Sequence, residues 1–248
     1  MSNPALPAPF GVIRLGTVGS TNDEARRLVS EGTAADLLVI TAESQSAGRG
    51  RRGRHWVSPA GNLHLSLLIK LDRPLAQAAQ IGFVAALALA EGLEDLVPAA
   101  DFRCKWPNDV LCRGRKVAGM LLEPASEGWL VLGIGVDVER APPPGETLHP
   151  SIALAEVGFE GTPEAVLAAF CRRFGPWLGL WRDQGFKPIR DGWLGRAKGV
   201  GESALVRLET DTLTGRFAGL DEDGGLLLDQ GEAGILRILA GDVFFPGS

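Results

Sequence analysis

The sequence contains few of the residues that most often build metal or nucleophilic centres. It has three cysteines and three histidines among 248 residues. Cys104, Cys112 and Cys171 show neither a CxxC pair nor the Cys/His spacing of a zinc site, and we expect them to be reduced, half-buried packing residues. A His-rich metal site or a Ser/His/Asp triad has little to draw on. Any metal the reaction needs is therefore expected to arrive with a substrate.

The chain also lacks the signals typical of secreted, membrane and DNA-binding proteins. Residues 1–5 have neither a basic start nor an apolar h-region, and we expect no apolar run to span a bilayer. The first strand is expected within about a dozen residues, which leaves no room ahead of it for a helix-turn-helix domain. We therefore expect a cytoplasmic protein without a membrane or nucleic-acid partner.

Charge and composition divide the chain near residue 199. Residues 1–198 hold 22 Lys and Arg against 21 Asp and Glu, whereas residues 199–248 hold 3 against 9. The acidic C-terminal region would repel a polyphosphate backbone, and the rest is nearly neutral, so an extended nucleic-acid surface is not expected. The break predicts two domains, residues 1–198 and 199–248.

Hydrophobic patterning predicts both helices and strands. Strands are predicted at residues 12–15, 37–42, 63–70, 102–106, 116–123 and 129–138, and helices at residues 23–29, 75–96 and 162–181. The strands indicate one mixed or antiparallel sheet. Short alternating runs at residues 204–208, 214–220, 225–228 and 235–239 are separated by turns, which predicts a small C-terminal β-barrel.

The most unusual segment is residues 48–56, Gly-Arg-Gly-Arg-Arg-Gly-Arg-His-Trp. Glycine reaches positive φ at little steric cost, so successive amides can point inward while guanidiniums neutralise phosphate or carboxylate oxygens. Its glycines satisfy G-x-G-x-x-G, but a turn follows where the dinucleotide fingerprint needs a helix, and Arg54-His55 replaces the Lys-Ser/Thr of a Walker loop. Taken alone, the run is also compatible with a solvated basic turn.

Two other segments carry candidate site residues. Residues 105–109, Lys-Trp-Pro-Asn-Asp, stand at a strand end where proline stops the ladder, although an ordinary turn with a packed Trp106 has the same signature. Lys116 opens an apolar run, and a lysine in that position usually lies at the solvent end of its strand. Only the combination of the segments favours a functional site.

In order and spacing, these segments together closely resemble biotin protein ligases. The matching residues are 20–22 (Ser-Thr-Asn), Gln45, 48–56, 58–59, 105–109, 115–119, 133–135 and 216–221. The resemblance covers residues 12–245. It implies an α+β fold, with a mixed sheet flanked by helices of the class II aminoacyl-tRNA synthetase/biotin synthetase type, and a small C-terminal SH3-like barrel.

The resemblance implies a two-step reaction. Biotin and magnesium-bound ATP give biotinyl-5′-adenylate and pyrophosphate, and the adenylate then acylates a lysine of a biotin carboxyl carrier protein. Because biotin's carboxylate is ionised at neutral pH, it can attack the α-phosphorus without a protein nucleophile. What the step needs is cations that bring two anions together. The oligomeric state is expected to be a monomer or a homodimer.

The resemblance also assigns roles to individual residues. Biotin binding is assigned to Ser20, Thr21, Asn22, Gln45, Arg49, Gly50, Arg51 and Lys116. ATP binding is assigned to Arg51, Arg54, Trp56, Lys105, Asn108 and Asp137. Catalysis is assigned to Arg49, Arg51, Lys116 and Asp109, with Asp109 helping to deprotonate the acceptor lysine. No metal site fixed by the protein alone is expected.

One position departs from the family pattern, and two other functions stay open. Asp137 stands where the family usually has asparagine, so it adds charge near phosphate and either binds magnesium or weakens nucleotide affinity. A lipoate or octanoate ligase would share the scaffold, and a non-catalytic biotin- or nucleotide-sensing module would share the pocket. A biotin-dependent repressor is not expected, because no DNA-binding domain is predicted.

Overall fold

A seven-stranded sheet forms the centre of the larger part of the molecule, in a computed structural model that describes residues 5–246. Its strands are β1 (Gly11–Val18), β2 (Leu38–Gln45), β3 (Leu63–Lys70), β4 (Phe102–Lys105), β5 (Asp109–Cys112), β6 (Arg115–Pro124) and β7 (Trp129–Val136). The order is β1-β2-β3-β7-β6-β5-β4, and β1 and β2 are parallel while the other neighbours are antiparallel. The predicted mixed sheet is therefore confirmed. Residues 1–4, on which part of the leader prediction rests, lie outside the described residues.

Helix α1 (Thr21–Ser30) begins where the capping residues predict it. The Ser20 hydroxyl accepts a hydrogen bond from the Asn22 amide and so satisfies one of the free N–H groups at the helix start. The helix packs on β3 and β7. Since the helix starts at this cap and packs on the sheet, residues 20–22 are held beside the sheet.

Helices α2 (Gln80–Leu96), α3 (Pro163–Gln184) and α4 (Phe186–Gly195) pack against one another beside the same sheet. The predicted helix at 75–96 is shorter, because residues 75–77 form a separate 3-10 turn. We predicted no apolar run long enough to span a bilayer, but residues 75–96 are long and apolar enough by composition. In the protein, 72% of the most apolar stretch of this segment is buried. Such burial is typical of a core helix. The sequence prediction did not include α4.

Strand β5 was not among the strands predicted from the sequence, and it begins at the last residue of the segment 105–109. Asp109 pairs with Lys105 of β4 on one side and with Gly119 of β6 on the other. Turn-forming residues raise the local preference for a bend, but a ladder on both sides satisfies the backbone better. Asp109 is thereby held on a strand inside the sheet.

A second, five-stranded antiparallel sheet follows, and it is called here the C-terminal sheet. Its strands are β8 (Ser203–Arg207), β9 (Thr212–Leu220), β10 (Leu226–Asp229), β11 (Ile235–Ile238) and β12 (Asp242–Phe244). The short strand β12 was not predicted. Trp106 is 2% exposed and its indole donates to the Gly224 carbonyl at 3.0 Å, so the C-terminal sheet packs beside the end of β4.

The three cysteines are fully buried rather than half-buried. Cys104, Cys112 and Cys171 are each at most 1% exposed and belong to the main core, where they pack as small apolar side chains. Each is a free thiol. Burial raises the pKa of Cys104 and of Cys171 to about 12, so both stay protonated and unreactive.

Candidate active site

A cavity of about 430 Å³ lies against the middle strands of the seven-stranded sheet. The cavity is bordered on one side by residues 49–51 and 54–57, and on another by residues 142, 146–149 and 151. Asp242 of the C-terminal sheet also reaches it. Every residue to which the sequence assigned a role lines this cavity: Ser20, Thr21, Asn22, Gln45, Arg49, Gly50, Arg51, Arg54, Trp56, Lys105, Asn108, Asp109, Lys116 and Asp137. Segments up to 117 positions apart in sequence therefore meet in one place, whereas their individual roles stay predictions.

One end of the cavity is neutral, polar and closely hydrogen-bonded. The Gln45 side-chain oxygen accepts from the Thr21 backbone amide at 2.8 Å and from its hydroxyl at 3.2 Å, while the Gln45 amide donates to Ser58 at 2.9 Å. Ser20, Thr21 and Asn22 are each 3–4% exposed. Buried polar groups held this firmly keep fixed orientations, which suits recognition of a neutral polar ring.

Asn22 is the most constrained residue at this end. Its amide donates to Glu123 at 2.6 Å, and its oxygen accepts from the Ser66 hydroxyl at 2.5 Å. Gly133 of β7 leaves room for it, since a Cβ there would lie 2.5 Å from the Asn22 oxygen. The glycine thus lets this side chain lie directly on the sheet.

Trp56 lies against Gly135 two residues further along the same strand. A Cβ at Gly135 would lie 2.3 Å from the indole, so the ring rests on bare backbone. The Lys116 ammonium stands 5.2 Å from the ring centroid, a cation–π distance. Among residues 5–246, no partner accepts a hydrogen bond from the buried Trp56 indole nitrogen.

The glycines of residues 48–56 act differently from the prediction. Positive φ occurs at Arg52 (55°) and Gly53 (69°), and not at Gly48 or Gly50. Gly48 is instead required by a close approach, because a Cβ there would lie 2.4 Å from the Trp56 carbonyl oxygen. The segment folds back on itself through a hydrogen bond from Trp56 N to Gly48 O at 3.0 Å.

Protein carboxylates hold three of the four arginines in this segment. Arg49 makes two hydrogen bonds to Asp23, at 2.6 and 2.7 Å. Arg52 and Arg54 lie 3.4 and 2.9 Å from the Asp242 carboxylate of β12. These three guanidiniums are neutralised within the protein, and their joint action on a bound anion stays a prediction.

Arg51 is the exception. It hydrogen-bonds the Asn108 oxygen at 3.1 Å and forms no ion pair among the described residues. Burial lowers its pKa from the usual value, with Asp242 and Asp109 acting in the opposite direction. A guanidinium that is withdrawn from water and has no carboxylate partner attracts an anionic ligand strongly.

Lys116 and Asp109 form an ion pair at 2.6 Å on the sheet surface of the cavity. The Lys116 side chain is 20% exposed and lines the cavity, so it does not take the solvent-end position that is usual for a lysine opening an apolar strand. Burial opposes ionisation of Asp109, but Lys116 and then Lys105 hold its pKa below the usual value. Asp109 is therefore ionised at neutral pH and both charges face the cavity.

Burial favours the protonated, neutral form of Asp137. It is 1% exposed, and burial raises its pKa to about 8, against a smaller opposing effect of Lys116. Within the part of the chain that the structure describes, the one hydrogen bond to its carboxyl group is long, 3.4 Å from the Asn62 side-chain amide. The expectation that this residue adds negative charge near phosphate stays a prediction, and the raised pKa favours a neutral acid there instead.

The sequence reasoning missed two residues of this site. His149 accepts a hydrogen bond from Lys105 at 3.0 Å, and Asp242 pairs with the arginines described above. His149 follows a proline-rich excursion, and Asp242 stands in a strand too short to predict. Neither residue stands in a sequence motif that would mark it as part of a site.

Taken together, the cavity joins a neutral polar end to an end that carries Arg51, Lys105 and Lys116. This arrangement suits a substrate with a polar ring and a carboxylate that must meet a phosphate. Among residues 5–246, no group of three or more His, Cys, Asp or Glu side chains is placed to hold a metal ion.

Comparison with known proteins supports the same class of chemistry. Residues 17–137 match the biotin/lipoate A/B protein ligase family, and residues 201–245 match the biotin protein ligase C-terminal domain. The chain is 42% identical to a biotin–[acetyl-CoA-carboxylase] ligase of Paracoccus denitrificans over 94% of this chain and all of the relative. A ligase of the same description from Mycobacterium tuberculosis is 33% identical over 91% of this chain and 85% of the relative. Among solved structures, the biotin protein ligase of Aquifex aeolicus in complex with biotin and ATP matches with a TM-score of 0.83 at 29% identity, over 95% of this chain and 99% of that one.

Proposed function

The chain belongs to the biotin protein ligase family, and from that premise we propose how its residues carry out the reaction. The protein is a ligase that activates biotin with ATP as biotinyl-5′-adenylate and transfers biotin to a lysine of a biotin carboxyl carrier protein. One observation carries the mechanism: Arg51 and Lys116, 65 positions apart, line the same cavity as the neutral polar end. The cations stand where a carboxylate and a phosphate have to meet.

In the first step, the neutral end holds the ureido ring of biotin. Gln45, Thr21 and Asn22 offer both donors and acceptors there, in orientations fixed by their own hydrogen bonds. Binding this ring places the carboxylate toward Lys116. Lys116 and Arg51 then reduce the repulsion between the carboxylate and the α-phosphate, and each charge-assisted hydrogen bond contributes roughly 1.5–3 kcal/mol.

The nucleotide occupies the other end. Trp56 covers the adenine, Lys105 and Asn108 face the phosphates, and Arg54 becomes available when it leaves Asp242. Magnesium enters bound to the triphosphate, as part of the substrate, and supplies further neutralisation of its charge. Asp137 in its neutral form donates a hydrogen bond to the nucleotide, as the amide of an asparagine would.

In the second step, the acceptor lysine enters the cavity and its amine attacks the acyl carbon of the mixed anhydride, so that an amide bond forms, the acyl C–O bond to the phosphate breaks and AMP leaves. Its ammonium has to lose a proton first, because only the amine has a free lone pair. Asp109 is ionised and lies within the cavity, so it assists this loss by accepting a hydrogen bond from the lysine. The second oxygen of the Asp109 carboxylate is paired with Lys116, which keeps the carboxylate charged.

The wider setting follows the family. Residues 1–198 form the catalytic domain and residues 199–248 the C-terminal SH3-like domain, within a cytoplasmic enzyme. Strand β1 lies at the edge of its sheet, where it can pair with a second copy, so the protein acts as a monomer or as a homodimer. Its partner in the reaction is the carrier domain.

Streptavidin detection of a labelled carrier domain tests the function. The purified protein, biotin, ATP and magnesium should label the carrier, and omission of ATP should abolish labelling. Lipoate or octanoate in place of biotin should give no acylated carrier by mass spectrometry, because the polar end does not suit an acyl chain. Acylation with octanoate instead of biotin would identify the enzyme as a lipoate-type ligase, and binding without labelling would identify a sensing module.

A further inference from the structure

A histidine outside the family motifs joins the C-terminal sheet to the active site. The Nε2 atom of His149 lies 3.0 Å from the Lys105 ammonium, and its ring centroid lies 4.9 Å from that of Phe244 on β12. The two rings are inclined at 44°. Three distant parts of the chain thus meet at one hydrogen bond beside the phosphate end of the cavity.

The direction of this hydrogen bond follows from the chemistry of its partners. An ammonium has three donors and no acceptor, so His149 must offer the lone pair of Nε2 and carry its proton on Nδ1. Burial, and next the nearby charge of Lys105, lower the pKa of His149 to about 4. The imidazole is therefore neutral at physiological pH. A neutral ring can accept from Lys105 over the whole working range of pH.

Lys105 needs such a partner. It is 6% exposed, and no carboxylate among the described residues lies within ion-pairing distance of it. Burial lowers its pKa to about 8. The charged groups that face it are Asp109 and Asp242, which favour the ammonium, and Lys116 and Arg54, which oppose it.

We propose that His149, held in place by Phe244, is a positioning residue that orients the Lys105 ammonium toward the triphosphate during adenylate formation. The proposal rests on the function given above, in which Lys105 faces the phosphates. A carboxylate in the place of His149 would neutralise part of the lysine's charge, whereas the imidazole fixes one N–H and leaves the positive charge for the phosphate. The other two N–H groups remain free for phosphate oxygens.

The test compares two substitutions of His149 that differ in whether the new side chain can accept a hydrogen bond from Lys105. His149→Leu removes the acceptor and keeps the bulk, whereas His149→Gln keeps an acceptor oxygen. In biotin-dependent ATP–pyrophosphate exchange, we expect His149→Leu to raise KM for ATP by roughly 10- to 100-fold with little change in KM for biotin. His149→Gln should stay within a few-fold of the unmodified enzyme.

The pH profile separates positioning from a loss of structure. Loss of the acceptor makes the Lys105 ammonium easier to deprotonate, so the alkaline limb of the exchange reaction should move to lower pH in His149→Leu and not in His149→Gln. Equal effects of both variants, or an unchanged alkaline limb in His149→Leu, would overturn the proposal. Phe244→Leu should give a weaker form of the His149→Leu result.

A second measurement does not depend on activity. Competitive acetylation of Lys105 across pH, read by mass spectrometry on the full chain, reports the pKa of this lysine directly. We expect the midpoint to fall in His149→Leu and to hold in His149→Gln. An unchanged titration midpoint of Lys105 in His149→Leu contradicts the inference about His149. If the midpoint falls but the unmodified protein shows no exchange activity, the proposed function is contradicted instead.

Discussion

The Asp109 carboxylate lies 2.6 Å from the Lys116 ammonium, and both side chains face the cavity while remaining mostly withdrawn from water. In the proposed mechanism, this pair links the two steps of the reaction. Lys116 would bring the carboxylate and the phosphate together, and Asp109, whose pKa Lys116 holds below the usual value, would assist the acceptor lysine.

Asp109→Asn should slow transfer far more than adenylate formation. The amide keeps the shape but cannot take part in deprotonation, so transfer from preformed biotinyl-5′-adenylate to the carrier should fall by about 10²- to 10⁴-fold. Single-turnover transfer monitored by mass spectrometry measures this rate. Lys116→Met is the matched comparison, since it should impair adenylate formation most. Undiminished transfer in Asp109→Asn would remove Asp109 from the second step.

Arg51→Gly should release the adenylate into solution. Arg51 contacts Asn108 across the cavity and has no carboxylate partner, so its loss opens the site over the bound intermediate. A larger fraction of free biotinyl-5′-adenylate and biotin on bystander lysines should appear in mass spectra of a protein mixture. An acyl-adenylate reacts with any accessible amine once it is free.

Arg52→Gly is the control for this change. Arg52 is the next residue, its φ of 55° accommodates glycine, and its half-exposed ion pair with Asp242 contributes little. This variant should retain the adenylate. Equal leakage from both variants would show that flexibility of the segment, rather than Arg51 itself, closes the site.

Asp137 should make stability depend on pH. Its pKa is about 8 in the folded protein against 3.8 for an unperturbed aspartate, so the folded state keeps a proton that the unfolded state loses between these values. The contribution of Asp137 to the free energy of unfolding therefore falls as pH rises from about 4 to about 8, at up to ~1.4 kcal/mol per pH unit.

Asp137→Asn removes this dependence. Other groups titrate alike in both proteins, so the variant should gain stability relative to the unmodified protein by roughly 2–4 kcal/mol between pH 5 and pH 8. Urea unfolding at several pH values measures the difference. If the stability difference between the two proteins stays constant with pH, the carboxyl is ionised throughout and the neutral form is excluded.

Alanine at two glycines of β7 should separate the two substrates. In Gly133→Ala the new Cβ lies 2.5 Å from the Asn22 oxygen, and in Gly135→Ala it lies 2.3 Å from the Trp56 ring, so each neighbour has to move. Gly133→Ala should raise KM for biotin by about 10-fold or more, and Gly135→Ala should do the same for ATP, since one to two aligned contacts are lost in each.

Gly179→Ala serves as the control for both. It lies in α3, and no atom lies within 4 Å of a Cβ placed there. Both KM values should match those of the unmodified enzyme, with a slight gain in helix stability. Should Gly133→Ala and Gly135→Ala change both constants equally, biotin and ATP do not occupy the separate ends proposed here.

Local patterns gave much of the fold in advance. Ser20 caps α1 because its hydroxyl and the first helical amides are close in sequence, and the continuous apolar run at residues 63–70 coincides with β3. The predictions failed where long-range pairing decided the outcome. β5 and β12 are short strands stabilised by neighbours from other segments, so their own residues carry no distinctive period.

The sequence by itself determined the segments in which most predicted site residues lie, because the motifs at 20–22, 48–56 and 105–109 can be read without a structure, but it did not reveal His149 or Asp242. Only the tertiary structure decided which charges are paired. Arg52 meets Asp242 across 190 positions, and Lys105 meets His149 instead of a carboxylate. Electrostatic energy depends on separation in space and on exclusion of water, and neither quantity is encoded in the order of residues along the chain.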